Sequence, residues 1–78
     1  MSEQLGVVSA MIELASLLYR RPGRSASDEA IAVWYQEKGR MHERIADLGG
    51  PEVAQERANA AASYELARRL SRQELTTS

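Results

Sequence analysis

LGVVSAMIELASLLY, residues 5–19, is the stretch whose reading decides the fold. At a helical pitch of about 100° per residue, its apolar side chains cover roughly two-thirds of the circumference. The only polar strip is Ser9, Glu13, Ser16 and Arg20, with Gly6 beside it. A helix that is apolar on so many sides has to be covered on so many sides. A chain of 78 residues has little else to cover it with. A second copy, or a partner protein, is therefore expected to do part of the covering.

Size leads to the same expectation. A domain this small buries only about 60% of its unfolded surface and is marginal alone. Chains of this kind draw on disulfides, a metal or oligomerisation. There is no Cys, which excludes disulfides and thiolate metal sites, and the single His rules out a His-rich site. Neither a metal nor a cofactor is expected, and a homo-oligomer, with a dimer favoured, is the remaining option. The net charge of -1, from 10 basic and 11 acidic residues, is no electrostatic signature for nucleic acid or a membrane surface. A hydrophobic content of 44% is too high for a disordered chain, and the abundance of Ala, Leu, Glu and Arg points to an all-α protein. The apolar run contains Glu13, is too short to span a bilayer, and has Arg20 and Arg21 behind it, whereas an export signal carries its basic residues in front. A cytoplasmic location is expected.

Working outward, Ser2 is a plausible N-cap for a first helix over about residues 3–21, stopped by Pro22-Gly23. Ser25 or Ser27 caps a second helix, about 27–48, whose first turn carries Asp28 and Glu29. Its apolar face is Ala30, Ile31, Trp34, Tyr35, Met41, Ile45 and Leu48, while Gly39 lies off that face and costs about 1 kcal/mol relative to Ala. Gly49-Gly50-Pro51 is the clearest punctuation: Gly49 for the left-handed position after the helix, and Pro51 for the first turn of the next. So tight a connection makes its two helices antiparallel neighbours. The third helix, about 51–72, presents Val53, Ala54, Ala58, Ala61, Tyr64 and Ala67 on one face, with Leu75 in line beyond. Ala62, Leu66 and Leu70 form a second stripe, free to meet the first helix or another subunit. Residues 73–78 are expected to fray.

Four constellations bear on function. Lys38 and His42 stand one turn apart, and folding the hairpin about its glycines brings them near Arg57, Ala61 and Glu65. A polar pocket ringed by Tyr35, Lys38, His42, Arg57 and Tyr64 could hold an anion, or His42 could act as a general base. The blander alternative is a polar seam that fixes register, with Lys38 paired to Glu65, and it is the preferred one. Trp34-Tyr35 reads as a core or interface anchor. Arg20, Arg21 and Arg24 gather at the first loop, and Arg68, Arg69 and Arg72 at the expected end of the third helix. A phosphate-binding patch is conceivable there, but Asp28 and Glu29 blunt it and helix C-termini collect Arg for dipole reasons alone. Residues 44–53, RIADLGGPEV, have a passing likeness to a helix-turn-helix, yet the following helix carries Glu52, Glu56 and many Ala, with few groups able to read bases.

The run WYQEKGRMHERIADLGGPEVAQERANAAASYELARRL, residues 34–70, resembles a recurrent pattern in small uncharacterised all-helical proteins of actinobacteria. There, an aromatic and charged helix ending in an Ile-Ala-Asp-like turn precedes an Ala-rich helix. The resemblance covers about half the chain. It implies a helical hairpin, a cytoplasmic actinobacterial or phage-like origin, and no known activity. Residues 12–20 are also similar to the first helix of the compact all-α chorismate mutases. That family holds two carboxylates with basic residues along long helices, and here none precedes Arg20, so the assignment is rejected.

The expectation is thus an all-α, antiparallel three-helix chain, a helical hairpin plus an apolar N-terminal helix, assembling into a dimeric bundle. Val8, Met11, Ile12, Ala15, Leu18 and Tyr19 are the expected shared surface, with Trp34 and Leu66 as additions. The expected function is that of a non-enzymatic protein–protein interaction module in an accessory or regulatory role, for its own copy or an unidentified protein. The alternative is a DNA-binding regulator using the hairpin and the Arg-rich end.

Overall fold

The computed structural model describes the backbone of residues 2–77 and the side chains of residues 5–72. The chain is all-α, with three helices: α1 (Ser2–Tyr19), α2 (Asp28–Asp47) and α3 (Val53–Thr77). No strand occurs among the described residues.

Local chemistry sets the boundaries. α1 winds down at Arg20, whose amide reaches the Ser16 and Leu17 carbonyls (both 3.1 Å) while its guanidinium Nε donates to Ser16 O at 3.3 Å. This satisfies carbonyls that the helix end leaves without partners. The cap expected from Ser2 lies outside the described side chains. Ser27 rather than Ser25 caps α2: its backbone is extended, and its Oγ accepts from the Ala30 amide at 3.1 Å. α2 ends in a Schellman motif. Gly49 takes φ +77°, its amide donates to Ala46 O (3.0 Å), and the Gly50 amide donates to Ile45 O (3.1 Å). Gly50 has a separate reason to lack a side chain, since a Cβ there would stand 2.8 Å from Ile45 Cγ2.

α3 begins at Val53, two residues later than expected, because the Glu52 carbonyl accepts the first helical bond, from Glu56 N at 2.8 Å. At the other end its helical backbone runs on to Thr77, past the expected end near residue 72. Gln73, Glu74 and Leu75 contain no breaker. The side chains from residue 73 onward, Leu75 among them, and the whole of Ser78 lie outside the described residues.

α2 is the middle element. α1 packs on one side of it and α3 on another, and among the described residues α1 and α3 make no contact with each other. The molecule measures 50 × 22 × 14 Å. Two helix–helix spacings of about 8–10 Å account for its breadth. The radius of gyration is 13.9 Å, against the roughly 11–12 Å of a compact chain of this length.

The two seams differ in chemistry, and here the structure corrects the expected pairing. Trp34, Tyr35 and Met41 are the large residues expected to face the small ones of the third helix, but Trp34 and Met41 serve α1, as does Leu48. The Trp34 indole donates to Leu17 O at 2.9 Å, Met41 lines a groove with Leu17, and Leu48 packs over Gly6. The other seam runs through Ala32, Gly39 and Ala46, seven residues apart and therefore on one face of α2, all buried. Gly39, expected off the packing face, lies directly beneath the Tyr64 ring of α3. On α3 the buried line is Ala60, Ser63 and Ala67, whereas Ala54, Ala58 and Ala61 are exposed. α3 is thus turned by about 100°, one residue at helical pitch, from the expected face. The α2–α3 seam is lined mainly by small residues, with the Tyr64 ring over Gly39, while Trp34, Met41 and Leu48 go to α1.

Candidate interaction surface and polar seam

α1 carries two apolar lines on nearly opposite sides. Val7, Ala10, Leu14 and Leu17 are spaced 3, 4 and 3 residues apart and are buried or half-buried against α2. Leu5, Val8, Ile12, Ala15 and Tyr19 are spaced 3, 4, 3 and 4 apart, about 160° away around the helix. These residues are exposed: Leu5 71%, Val8 52%, Ile12 64% and Tyr19 93%. Met11 and Leu18 widen the exposed face on one flank. Alternation of three and four is the spacing with which one helix presents a continuous seam to another. Leu66, on the second stripe of α3, is exposed too, but on a helix that makes no contact with α1 among the described residues.

Six of the eight residues expected on a shared surface, Val8, Met11, Ile12, Ala15, Leu18 and Tyr19, lie on this outward side of α1. Trp34 does not. It is only 7% exposed, held by Leu17 O on one edge and by Tyr35, whose ring meets it edge-on with centroids 5.0 Å apart. Arg21 lies 5.6 Å from the Trp34 ring centroid and donates to the Tyr35 hydroxyl at 3.3 Å. This aromatic pair ties the first loop to α2, inside one chain.

The polar seam exists, with other members than those expected. Lys38 Nζ lies 3.2 Å from His42 Nε2 and 3.4 Å from Ser63 Oγ, and His42 Nδ1 is hydrogen-bonded to the Glu56 carboxylate. Ser63 Oγ donates in turn to Asn59 O at 2.8 Å. An ammonium has only protons to give and a carboxylate only lone pairs, so the ring fits between them as the neutral tautomer protonated at Nδ1. His42 is 6% exposed and both its nitrogens have partners. The chain of bonds joins α2 to α3 at one register and leaves no buried side-chain polar atom without a partner among the described residues.

The remaining expected members go elsewhere. Tyr35 faces the first loop. Arg57 pairs with Asp47 at 3.3 Å, across the exposed hairpin end. The Tyr64 hydroxyl donates to Glu43, and burial, seconded by that carboxylate, raises its pKa above the usual 10.0. Glu65 does not meet Lys38. It gathers Arg68 (2.5 Å), Arg69 (3.3 Å) and Arg72 (3.7 Å) on its own helix, and the Arg68 hydrogen bond, followed by its charge, lowers the Glu65 pKa. Since α3 continues beyond them, these arginines sit inside a helix rather than at its negative end. Glu56 and Ser63 are the residues that sequence reasoning missed. The signal for Glu56 was its place fourteen residues beyond His42 across the turn, one short of Arg57.

A groove of about 330 Å³ between α1 and α2 is lined by Glu13, Leu17, Arg20, Glu37, Arg40 and Met41, and Glu13 pairs with Arg44 at 2.8 Å beside it. No three His, Asp or Glu among the described residues gather as a metal site would, and no helix is long and apolar enough to cross a membrane. Comparison with protein-family models, with curated proteins and with solved structures found no match.

Proposed function

We propose that this chain is a small non-enzymatic protein–protein interaction module acting in the cytoplasm. Its protomer is an antiparallel arrangement of three helices that self-associates through α1, as a dimer, in an accessory or regulatory role. The observation that supports this reading is the outward face of α1. Leu5, Val8, Ile12 and Tyr19 are each more than half exposed, and they line up at the spacing of a helix–helix seam. Among the described residues nothing covers them, since α3 lies on a different side of α2. Continuous apolar surface of this kind marks an interaction site.

The nucleic-acid reading draws less support. Phosphate binding requires guanidinium groups free to exchange counterions, and Glu65 already engages Arg68, Arg69 and Arg72. The polar seam likewise supports a structural role for His42, because its two nitrogens are engaged by Lys38 and Glu56.

Sedimentation equilibrium over a wide concentration range tests the proposal, on wild type and on Ile12→Glu. Wild type is expected to sediment as a dimer. Ile12→Glu is expected to be a monomer that keeps its helical circular dichroism, because residue 12 faces away from α2. A folded wild-type monomer at every concentration overturns self-association and reassigns the face of α1 to a different protein.

A further inference from the structure

The exposed line on α1 is nearly symmetric about its middle. From Ile12, its neighbours lie 4 and 7 residues toward the N-terminus (Val8, Leu5) and 3 and 7 toward the C-terminus (Ala15, Tyr19). We propose that α1 packs against α1 of a second copy in antiparallel orientation, about a two-fold axis passing beside Ile12. This rests on the self-association proposed above and specifies its geometry. Ile12 meets Ile12 of the second copy, Val8 lies opposite Ala15, and Leu5 lies opposite Tyr19. A two-fold contact has to be self-complementary in this way, with residue i meeting j and j meeting i.

Three observations favour this occupant and this direction. The first is charge. Arg20 and Arg21 at the end of α1 turn toward α2, into the groove beside Met41 and onto Trp34 and Tyr35, so the charge facing a second copy is that of the helix ends. A parallel pair would align two helix dipoles side by side, with like partial charges together at each end. The antiparallel pair opposes the dipoles. The second is volume. In a parallel pair Ala15 faces Ala15 and leaves one thin layer, whereas the antiparallel pair sets each alanine against a valine and evens the layers. The third is area. At roughly 100 Å² for each large exposed apolar side chain, this face of α1 offers about 600 Å² per protomer. The pair would bury about 1,200 Å², the lower limit of stable specific interfaces.

The chain has no Cys, so single thiols can be placed at will. Leu5 and Tyr19 are fourteen residues apart, about 21 Å along a helix, which a thiol cross-linker of about 10 Å cannot bridge. Both are far exposed, so Leu5→Cys and Tyr19→Cys leave the protomer's own packing intact. Each variant is treated with the cross-linker alone and after mixing and refolding with the other. Sedimentation of wild type and of both Cys variants, without cross-linker, is run alongside. The antiparallel pair predicts covalent dimer in the mixture and none in either variant alone. Covalent dimer in each variant alone overturns it in favour of a parallel pair. No cross-link in any sample, with both Cys variants still dimeric by sedimentation, overturns it and moves the dimer contact off α1. A monomeric wild type overturns it together with the self-association it rests on.

Discussion

Gly39 shows how a single residue changes meaning once its neighbour is known. By helix propensity alone, Gly39→Ala in the body of α2 stabilises by about 1 kcal/mol. A Cβ at this position, however, would lie 2.7–2.9 Å from three carbons of the Tyr64 ring. Overfilling a packed contact costs about 1–3 kcal/mol, so Gly39→Ala is expected to destabilise on balance. Urea denaturation checks this in two backgrounds. In wild type the midpoint should fall. In Tyr64→Ala the same substitution should raise the midpoint, because the ring is gone and only propensity remains. A gain of stability in wild type would mean that Tyr64 does not hold α2 and α3 in their close approach. The sequence offered no sign of this, since a lone Gly among polar residues looks the same over a ring as over solvent. Lys38 and His42 were legible as a pair because one turn of helix joins them. Their partners were not, because Glu56 and Arg57 are adjacent in sequence but about 100° apart on the helix.

At the scale of elements, the punctuation was the legible part. Ser27 and Gly49 act through bonds to their immediate neighbours, and Asp28 and Glu29 through their place in the first turn, all of which a sequence displays directly, and the structure places them as expected. The facing of α3 was not legible, because Ala54, Ala58, Ala60, Ala61, Ala62 and Ala67 surround the helix and hydrophobicity alone cannot choose among them. The choice falls to Tyr64 over Gly39 and to Ser63 and Glu56 in the seam. Nor was the destination of Trp34 legible, since a large apolar face on α2 suits either neighbour. Its place against α1 leads to a prediction about that element. Among the described residues α1 touches only α2, and the bond that Trp34 Nε1 donates to Leu17 O is buried in its C-terminal half. Trp34→Phe removes the indole donor and leaves Leu17 O with the Arg20 amide alone, at a cost of about 0.5–1.5 kcal/mol. Hydrogen exchange is expected to quicken across α1 while amides of α2 and α3 near Gly39 and Ser63 keep their protection. Equal loss of protection in all three helices would show that α1 and the hairpin open as one unit.

For the whole molecule, the arrangement of α1 and α3 on separate sides of α2 leaves each seam one helix deep. Stable domains close a core between layers, and one layer of helices has its apolar faces half covered. The exposed line of α1 is the part of this surface with the right spacing and continuity for closure by a second copy. If that closure supplies stability, unfolding has to depend on concentration. For a dimer that unfolds to two chains, each tenfold dilution removes about 1.4 kcal/mol of apparent stability. For a folding unit of about 150 residues this lowers Tm by roughly 3–6 °C per tenfold. Wild type is expected to show this slope in circular dichroism melts between low micromolar and millimolar chain. Ile12→Glu is expected to melt at a lower temperature and with no slope, since a charge at the seam blocks pairing without touching the α1–α2 contact. A wild-type Tm that does not move with dilution would place all the stability inside one chain. The hydrogen-bonded seam of Lys38, His42, Glu56 and Ser63, with Trp34 anchoring α1, would then suffice to hold three helices together, and the outer face of α1 would contribute nothing to folding.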